Sequence, residues 1–187
     1  MHREFILHLL DEYSTTDEAE QQMHQDTIYF IKENKNCFER TIAGNGASKG
    51  HITGSAWLVD NSRSHVFFTH HKKLKRWFQP GGHSDGDANT LAVSLREASE
   101  ESGIEDIFIQ PVHNAIFDID VHVIPANKKE AEHRHYDIRF LLETDINHPL
   151  KISDESNQIA WIPVENIANY TQEASIMRMI KKMQELQ

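Results

Sequence analysis

Residues 81 to 104 read GGHSDGDANTLAVSLREASEESGI, and this stretch decides the fold. A glycine pair and a polar turn lead into a segment with helical spacing, which we predict from about Asn89 to Ser102. Gly103 then ends the helix. At about 100° per residue, the apolar and small positions fall on one side. These positions are Leu91, Leu95, Ala98 and Ser102.

Three carboxylates fall on another side of this helix, at Glu97, Glu100 and Glu101. Ionised carboxylates within one short arc repel each other. Solvent ions, Arg96 or a bound metal ion could each offset that repulsion. An acidic helix face is usually only solvated, so the carboxylates alone do not indicate a metal site.

The residues before the helix favour a phosphate ligand. Gly81 and Gly82 lack a Cβ, which lets their backbone approach a ligand closely. A helix N-terminus presents N–H groups and a partial positive charge, which suit an anion. Carboxylate oxygens are hard ligands that suit Mg²⁺ or Mn²⁺. The combination predicts metal-assisted attack of water on a phosphate.

The full spacing from Gly82 to Ile104 closely resembles the motif of the Nudix hydrolases. That motif runs Gly, five residues, Glu, seven residues, Arg-Glu, aliphatic, any, Glu-Glu, any, Gly, aliphatic. So many fixed positions over a short span make a specific signal. There is one departure, because the first Glu of the motif corresponds to Ala88. The preceding residue, Asp87, can substitute for it.

The resemblance implies roles for the motif residues. Glu100 and Glu101 would bind Mg²⁺ (or Mn²⁺) most directly, and Glu97 would join them or orient a water molecule. The carbonyl of Gly82 is a further metal ligand under this interpretation. Family members often supply another catalytic carboxylate from outside the motif, and Glu155 is our candidate.

Three motif residues have structural roles in this interpretation. We expect Arg96 to pair with Glu100 four positions on, or with Asp87 in the loop, rather than to contact substrate. Gly103 closes the helix.

A second candidate site lies on the predicted strand HYDIRFLLE and the residues before it. Strict alternation places His133, His135, Asp137 and Arg139 on one face. We favour a face that lines the substrate pocket, where Arg139 could hold a phosphate through paired N–H bonds. Two alternatives stay open: two histidines and an aspartate could bind a transition metal, or the face could be solvated.

The rest of the chain indicates an α/β fold. Residues 1–45 form a helical extension that we expect to pack on the main domain, and Thr15 followed by Glu18 predicts a capping box there. Short strands flank the motif helix, and a final amphipathic helix follows them. Together with the resemblance, this predicts a Nudix-like α/β/α sandwich with a mixed sheet over residues 46–187.

Composition excludes several classes of protein. The 187 residues carry a formal net charge of −10, which disfavours binding to nucleic acid backbones. The single cysteine, Cys37, rules out an intrachain disulfide. No apolar run approaches the length of a membrane span, and the first residues predict an amphipathic helix rather than a signal peptide. We therefore expect a cytoplasmic protein with a small-molecule partner. A homodimer contact through the first helices is possible, but intramolecular packing is favoured.

The leading hypothesis is a metal-dependent hydrolase that cleaves a diphosphate linkage in a nucleoside diphosphate derivative. Ala88 motivates an alternative, a Nudix-fold module that senses a nucleotide without efficient cleavage. A third interpretation places the only metal on the histidine strand.

Overall fold

The computed structural model describes residues 2–40, 50–127 and 131–186. The helices of this part of the chain are α1 (Glu4–Glu12), α2 (Glu18–Glu33), α3 (Thr90–Ser102) and α4 (Ala174–Glu185). The strands are β1 (Gly50–Asp60), β2 (His65–His71), β3 (Trp77–Phe78), β4 (Gly81–His83), β5 (Gln110–Pro111), β6 (Asp118–Ile124), β7 (His133–Thr144) and β8 (Ser156–Pro163). Short 3₁₀ helices span Asp106–Phe108 and Val164–Asn169.

The strands of the described residues form one mixed sheet. Its central order is β3-β2-β1-β7-β5, while β4 pairs with β1, β6 with β7 and β8 with β2. The long strands β1 and β7 are parallel, in register from Gly50↔Arg134 to Asp60↔Thr144, and the other pairs are antiparallel. The predicted α/β class with a mixed sheet is confirmed.

Alternation along β1 divides the apolar residues between two cores, one on each face of the sheet. Ile52, Ala56 and Leu58 pack with residues of α1, α2 and α3 in the first core. Trp57 and Val59 pack on the opposite face with residues of α4. The sheet is therefore covered by helices on both faces. The long strands β1 and β7 carry apolar side chains on both faces where the helices cover them.

The two N-terminal helices share the first core with the sheet. Ile6, Leu10 and Phe30 are fully buried, and the ring of Phe30 stacks on Tyr136 of β7 with centroids 4.0 Å apart. The predicted end of the extension at residue 45 falls within residues 41–49, which lie outside the described residues.

A buried ionic network ties α2 to α4. Glu20 of α2 is fully buried and accepts a hydrogen bond from the backbone N–H of Ile119 at 2.9 Å. Lys182 of α4 donates to Glu20 at 2.5 Å and to Asp118 at 3.0 Å. Burial opposes ionisation of Glu20, but the hydrogen bonds outweigh it and lower its pKa to about 2. This carboxylate is therefore charged, and Lys182 is its closer cation, with Nε of Arg178 3.6 Å away.

Two local predictions differ from the structure. The cap of α2 is Asp17, whose side chain accepts from the backbone N–H of Glu20, so the capping box at Thr15 was placed two residues early. Of the short strands predicted to flank the motif helix, the one in the apolar stretch IFIQPV, residues 107–112, is largely absent. Instead, a 3₁₀ turn exposes Ile107, and only Gln110–Pro111 pair with β7.

Candidate active site

Helix α3 begins and ends close to where the sequence predicts. The side chain of Asn89 accepts a hydrogen bond from the backbone N–H of Ala92 at 3.1 Å, which caps the first turn. Gly103 follows the last turn with φ 74°, a left-handed conformation that glycine adopts without strain. The helix packs closely on β1, because a Cβ at Gly54 would lie 2.9 Å from a methyl carbon of Val93.

Two motif carboxylates converge on the glycine strand β4. A Cβ added to Gly82 would lie 2.5 Å from the carboxyl carbon of Glu97, so glycine is needed for that side chain to rest there. One turn further along α3, Glu101 accepts a hydrogen bond from the backbone N–H of Gly81 at 2.9 Å. Residues four apart share a helix face, which explains why both side chains reach the same strand.

The environment disfavours the charged form of both carboxylates. Burial raises the pKa of Glu101 to about 7, against hydrogen bonds from Gly81 and Thr69, and the nearby charges of Glu97 and Glu155 raise it further. Burial also raises the pKa of Glu97, although Arg96 opposes the shift. Glu155 is exposed, yet it lies close enough to affect both carboxyl groups electrostatically.

The third motif carboxylate is arranged differently. The Glu100 side chain is 64% exposed and lies 3.9 Å from Nε of Arg96. Arg96 makes closer contacts elsewhere, donating to Glu97 at 2.7 Å and to the backbone carbonyl of His83 at 2.9 Å. In this conformation the three carboxylates do not form the single tight cluster that helical spacing alone suggested. Arg96 bridges helix and strand, and its observed carboxylate partners are Glu97 and Glu100 rather than Asp87.

The loop before α3 shows what replaces the first motif Glu. Ala88 is partly buried and packs against the first core. The Asp87 carboxylate accepts a hydrogen bond from the backbone N–H of Asn89 at 2.8 Å, and its own N–H donates to Ser84 at 2.9 Å. Asp87 therefore shapes the turn into the helix.

The oxygen-rich donor set around β4 fits a hard divalent cation. Gly82 leaves room that a larger residue would fill, and Glu97 and Glu101 carry raised pKa values that a cation would reverse. Glu100 and Glu155 are exposed carboxylates in the same region. Carboxylate oxygens are the ligands that such a cation prefers.

The second predicted site lies on the opposite face of the sheet from α3. Asp137 is 3% exposed and accepts hydrogen bonds from Thr53 at 2.8 Å and Ser55 at 2.7 Å. Arg139 is also 3% exposed, and its guanidinium contacts Asp137 at 2.8 Å, with Asp118 and Asp120 both at 3.2 Å.

This burial corrects the expectation that Arg139 holds a substrate phosphate. Its guanidinium is already matched to three carboxylates inside the protein, and Asp137 is equally enclosed. Both residues link strands within the sheet rather than line a pocket. The alternation that placed them on one face was correct, but the face is covered at their position.

His133 and His135 lie nearer the end of the same face, where other histidines join them. Among the described residues, one group of three or more histidine, cysteine or acidic side chains brings its ligand atoms within 4.8 Å of one another. Its members are His51, His133 and His135. Burial, followed by the charges of the neighbouring histidines, lowers the pKa of His135 well below its ordinary value. Sequence reasoning missed His51, because its position opposite His135 depends on strand register.

Within the described ranges, no helix combines the length and apolar character needed to cross a lipid bilayer.

Comparison with known proteins agrees with the fold and the motif. The "Probable DHNTP pyrophosphohydrolase" of Lactococcus lactis subsp. cremoris is 33% identical over 82 residues, 43% of this chain, and the match spans about half of the length of that relative (47%). The structure of the C. elegans Ap4A hydrolase binary complex aligns with a TM-score of 0.59 at 14% identity, over 72% of this chain and 96% of that one. The E. coli dihydroneopterin triphosphate pyrophosphohydrolase aligns with a TM-score of 0.56 at 12% identity, over 73% and 96%. At these identities the two structures show a shared fold.

The family model described as NUDIX domain matches residues 50–183, well over half of the chain. The match begins with β1 and ends within α4, so it includes the glycine strand, helix α3 and every strand of the sheet described above. The chain therefore belongs to the Nudix hydrolase family.

Proposed function

We propose that this protein is a metal-dependent hydrolase that cleaves a diphosphate linkage in a nucleoside diphosphate derivative. One observation carries the proposal. Glu97 and Glu101 converge on the glycine strand, where burial and the charges of neighbouring carboxylates raise both pKa values. Half-buried carboxylates that resist ionisation are unfavourable for folding alone, and they are typical of functional sites.

The metal ligands in this proposal are carboxylates of α3 and the adjoining strand. Glu97, Glu100, Glu101 and the carbonyl of Gly82 would hold Mg²⁺ (or Mn²⁺), with Glu155 as a further carboxylate. A bound divalent ion supplies charge neutralisation for the diphosphate and a more acidic water. Glu100 is exposed, and its contact with Arg96 is long at 3.9 Å, so its side chain can turn toward the ion.

The chain's own residues do the rest of the work. Gly82 leaves the space beside its Cα to the Glu97 carboxylate, which can therefore lie directly against the strand. Arg96 holds the Glu97 carboxylate in place from one side, through its bond at 2.7 Å. A carboxylate of the site, Glu155 or Glu97, accepts the proton of the attacking water. Positioning and charge placement account for most of the catalysis in this scheme.

The proposed substrate is a small nucleotide-type molecule, and we place the protein in the cytoplasm. The names of similar proteins suggest a screen: dihydroneopterin triphosphate, Ap4A and ADP-ribose, the last from a structure of the Shewanella oneidensis NrtR NUDIX domain with that ligand. Products would be quantified with Mg²⁺, with Mn²⁺ and with chelator. Metal-dependent cleavage of at least one compound is the expected result, seen as pyrophosphate from dihydroneopterin triphosphate, as two nucleotides from Ap4A or as two phosphate monoesters from ADP-ribose.

Two substitutions test the roles of the carboxylates. Glu100→Gln and Glu101→Gln should each abolish metal-dependent hydrolysis in a protein that remains folded by circular dichroism. Glu105→Gln, at an exposed carboxylate beyond Gly103, is the matched control and should turn over as the wild type does. Unchanged turnover in both motif variants would refute the proposed roles.

Ala88 motivates the alternative of a nucleotide-sensing module with weak or no cleavage. Its packing against the first core argues that this position supports the fold rather than the metal. Calorimetry with the same compounds separates the two functions. Binding without any hydrolysis product would favour the sensor.

A further inference from the structure

We propose that five histidines gathered on the face of the sheet opposite α3 form a second metal site, which takes an imidazole-preferring transition metal such as Zn²⁺. The histidines are His51 of β1, His83 of β4, His122 of β6, and His133 and His135 of β7. The site is separate from the carboxylates of α3 and does not depend on the hydrolase proposal.

Strand register brings the histidines together. His51 is the partner of His135 across the parallel pair β1–β7, and His122 is the partner of His135 across β6–β7. His83 pairs with Thr53, two residues from His51 and on the same face. His133 precedes His135 by two residues and shares its face. Four strands therefore contribute to one cluster.

The rings are close enough to share one ion. Ring centroids of His51 lie 4.6 Å from His135, 4.8 Å from His83 and 4.9 Å from His133. The Nε2 atoms of His133 and His135 are 3.3 Å apart. A tetrahedral zinc with Zn–N bonds of about 2.0–2.1 Å separates its nitrogen ligands by roughly 3.3 Å. That nitrogen pair already has the spacing of one edge of such a site.

Hydrogen bonds to one ring nitrogen orient His133 and His122, as is common for histidines that bind a metal through the other nitrogen. Nδ1 of His133 lies 2.8 Å from the carbonyl oxygen of Ala131, which only accepts, so Nδ1 carries the proton. The lone pair of the neutral ring is then on Nε2, the atom that faces His135. Nδ1 of His122 similarly donates to the Asp120 carboxylate at 2.9 Å. Metal-bound histidines typically have such a partner on their other nitrogen.

The ligand atoms of His51, His133 and His135 lie within 4.8 Å of one another, which makes these three the core of the site. Small rotations of the imidazole rings bring that spacing to tetrahedral distances. The His83 ring, 4.8 Å from His51 and 5.1 Å from His135, is the nearest candidate for a fourth ligand. A ligand set made only of imidazoles suits Zn²⁺ and other transition metals, and it excludes Mg²⁺, which prefers oxygen.

Backbone alternation places the proposed histidine site on the opposite face of the sheet from the α3 carboxylates. Gly82 meets Glu97 on the α3 face, and the next residue of β4, His83, projects its side chain to the other face. A metal bound by the histidines would cross-link β4, β1 and β7 directly behind the glycine strand.

The test uses the full chain without an affinity tag, freed of metal by a chelator that is then removed. Zn²⁺ is titrated calorimetrically in excess Mg²⁺, so that the α3 carboxylates do not compete for it. We expect one Zn²⁺ per chain, and Co²⁺ at the same site should give the intense visible absorption of tetrahedral coordination. His133→Gln and His135→Gln should each weaken Zn²⁺ binding at least 10-fold, a loss seen even when outer partners of metal ligands are changed.

His8→Gln is the matched control, because it makes the same change at an exposed histidine of α1, away from the cluster. It should bind Zn²⁺ as the wild type does, and Zn²⁺ should raise the melting temperature of both proteins. His133 is partly exposed, so its variant decides the outcome if His135→Gln does not fold. Equal Zn²⁺ binding by the wild type and His133→Gln would overturn the proposal. Loss of Zn²⁺ binding in Glu97→Gln but not in His133→Gln would also overturn it.

Discussion

Replacing Glu101 with glutamine should stabilise the metal-free protein above neutral pH. The folded protein raises the pKa of this carboxyl from its ordinary 4.5 to about 7, mainly through burial. Between those values the folded state holds the proton more tightly than the unfolded chain does. The resulting stabilisation is fully present below pH 4.5 and is lost as the pH rises through 7.

The pKa difference sets the size of the effect. At about 1.4 kcal/mol for each tenfold change in proton affinity, the shift from 4.5 to about 7 corresponds to about 3 kcal/mol. At pH 8 the wild type carries a buried charge that Glu101→Gln lacks, while glutamine can still accept from the N–H of Gly81. The variant should therefore be more stable than the wild type by about 3 kcal/mol at pH 8, and by little at pH 5.

Urea unfolding at pH 5, 6, 7 and 8 in the presence of chelator measures this difference. For a chain of this size it corresponds to a melting temperature roughly 6–12 °C higher at pH 8. Mg²⁺ should stabilise the wild type at pH 8 and leave Glu101→Gln unchanged. Glu105→Gln, which removes an exposed carboxylate, should match the wild type at every pH. If the difference in free energy of unfolding between Glu101→Gln and the wild type is the same at pH 5 and pH 8, the pKa of Glu101 is not raised in the folded protein and the reasoning fails.

Three further substitutions separate catalytic from structural roles. Gly82→Ala should displace the Glu97 carboxylate, whose end can move, and should lower Mg²⁺-dependent turnover at least 10-fold with little change in melting temperature. Gly103→Ala should behave in the opposite way. A Cβ is unfavourable at a φ of 74° and would lie against Lys151, so the free energy of unfolding should fall by about 2 kcal/mol. Turnover per folded molecule should be unchanged. Lys182→Met should destabilise the protein by about 3 kcal/mol in urea, because it removes the closest cation of the buried Glu20 and leaves only the longer contact with Arg178 at 3.6 Å. Lys181→Met, at a neighbouring side chain that is 76% exposed, should change stability by less than about 0.5 kcal/mol and serves as its control.

The limits of α3 were predictable because their signals are local. Asn89 caps the first turn and Gly103 closes the last, and both residues act within a few positions of themselves. The different environment of Glu100, compared with Glu97 and Glu101, was not predictable to the same degree. Helical spacing alone grouped Glu97, Glu100 and Glu101, but the position of β4 decides that two of them are covered and Glu100 is exposed.

Glu20 shows the same limit more clearly. It lies in the polar stretch EAEQQ of α2, yet it is fully buried. Its compensating cation, Lys182, is 162 residues away in the chain. No local pattern reports a pairing at that separation, because the sheet determines where the two helices lie relative to each other.

The arrangement of the histidine cluster is determined by packing elsewhere in the sheet. Trp57 and Leu141 are partners on the same face as His51 and His135, and both are buried under α4. A slip of one residue between β1 and β7 would turn Leu141 away from that core and His135 away from His51. The free energy of burying the apolar pair therefore also fixes the alignment of the histidines. The sequence around His133 and His135 displays only two of the five rings, and the other three become neighbours through a register that hydrophobic residues determine.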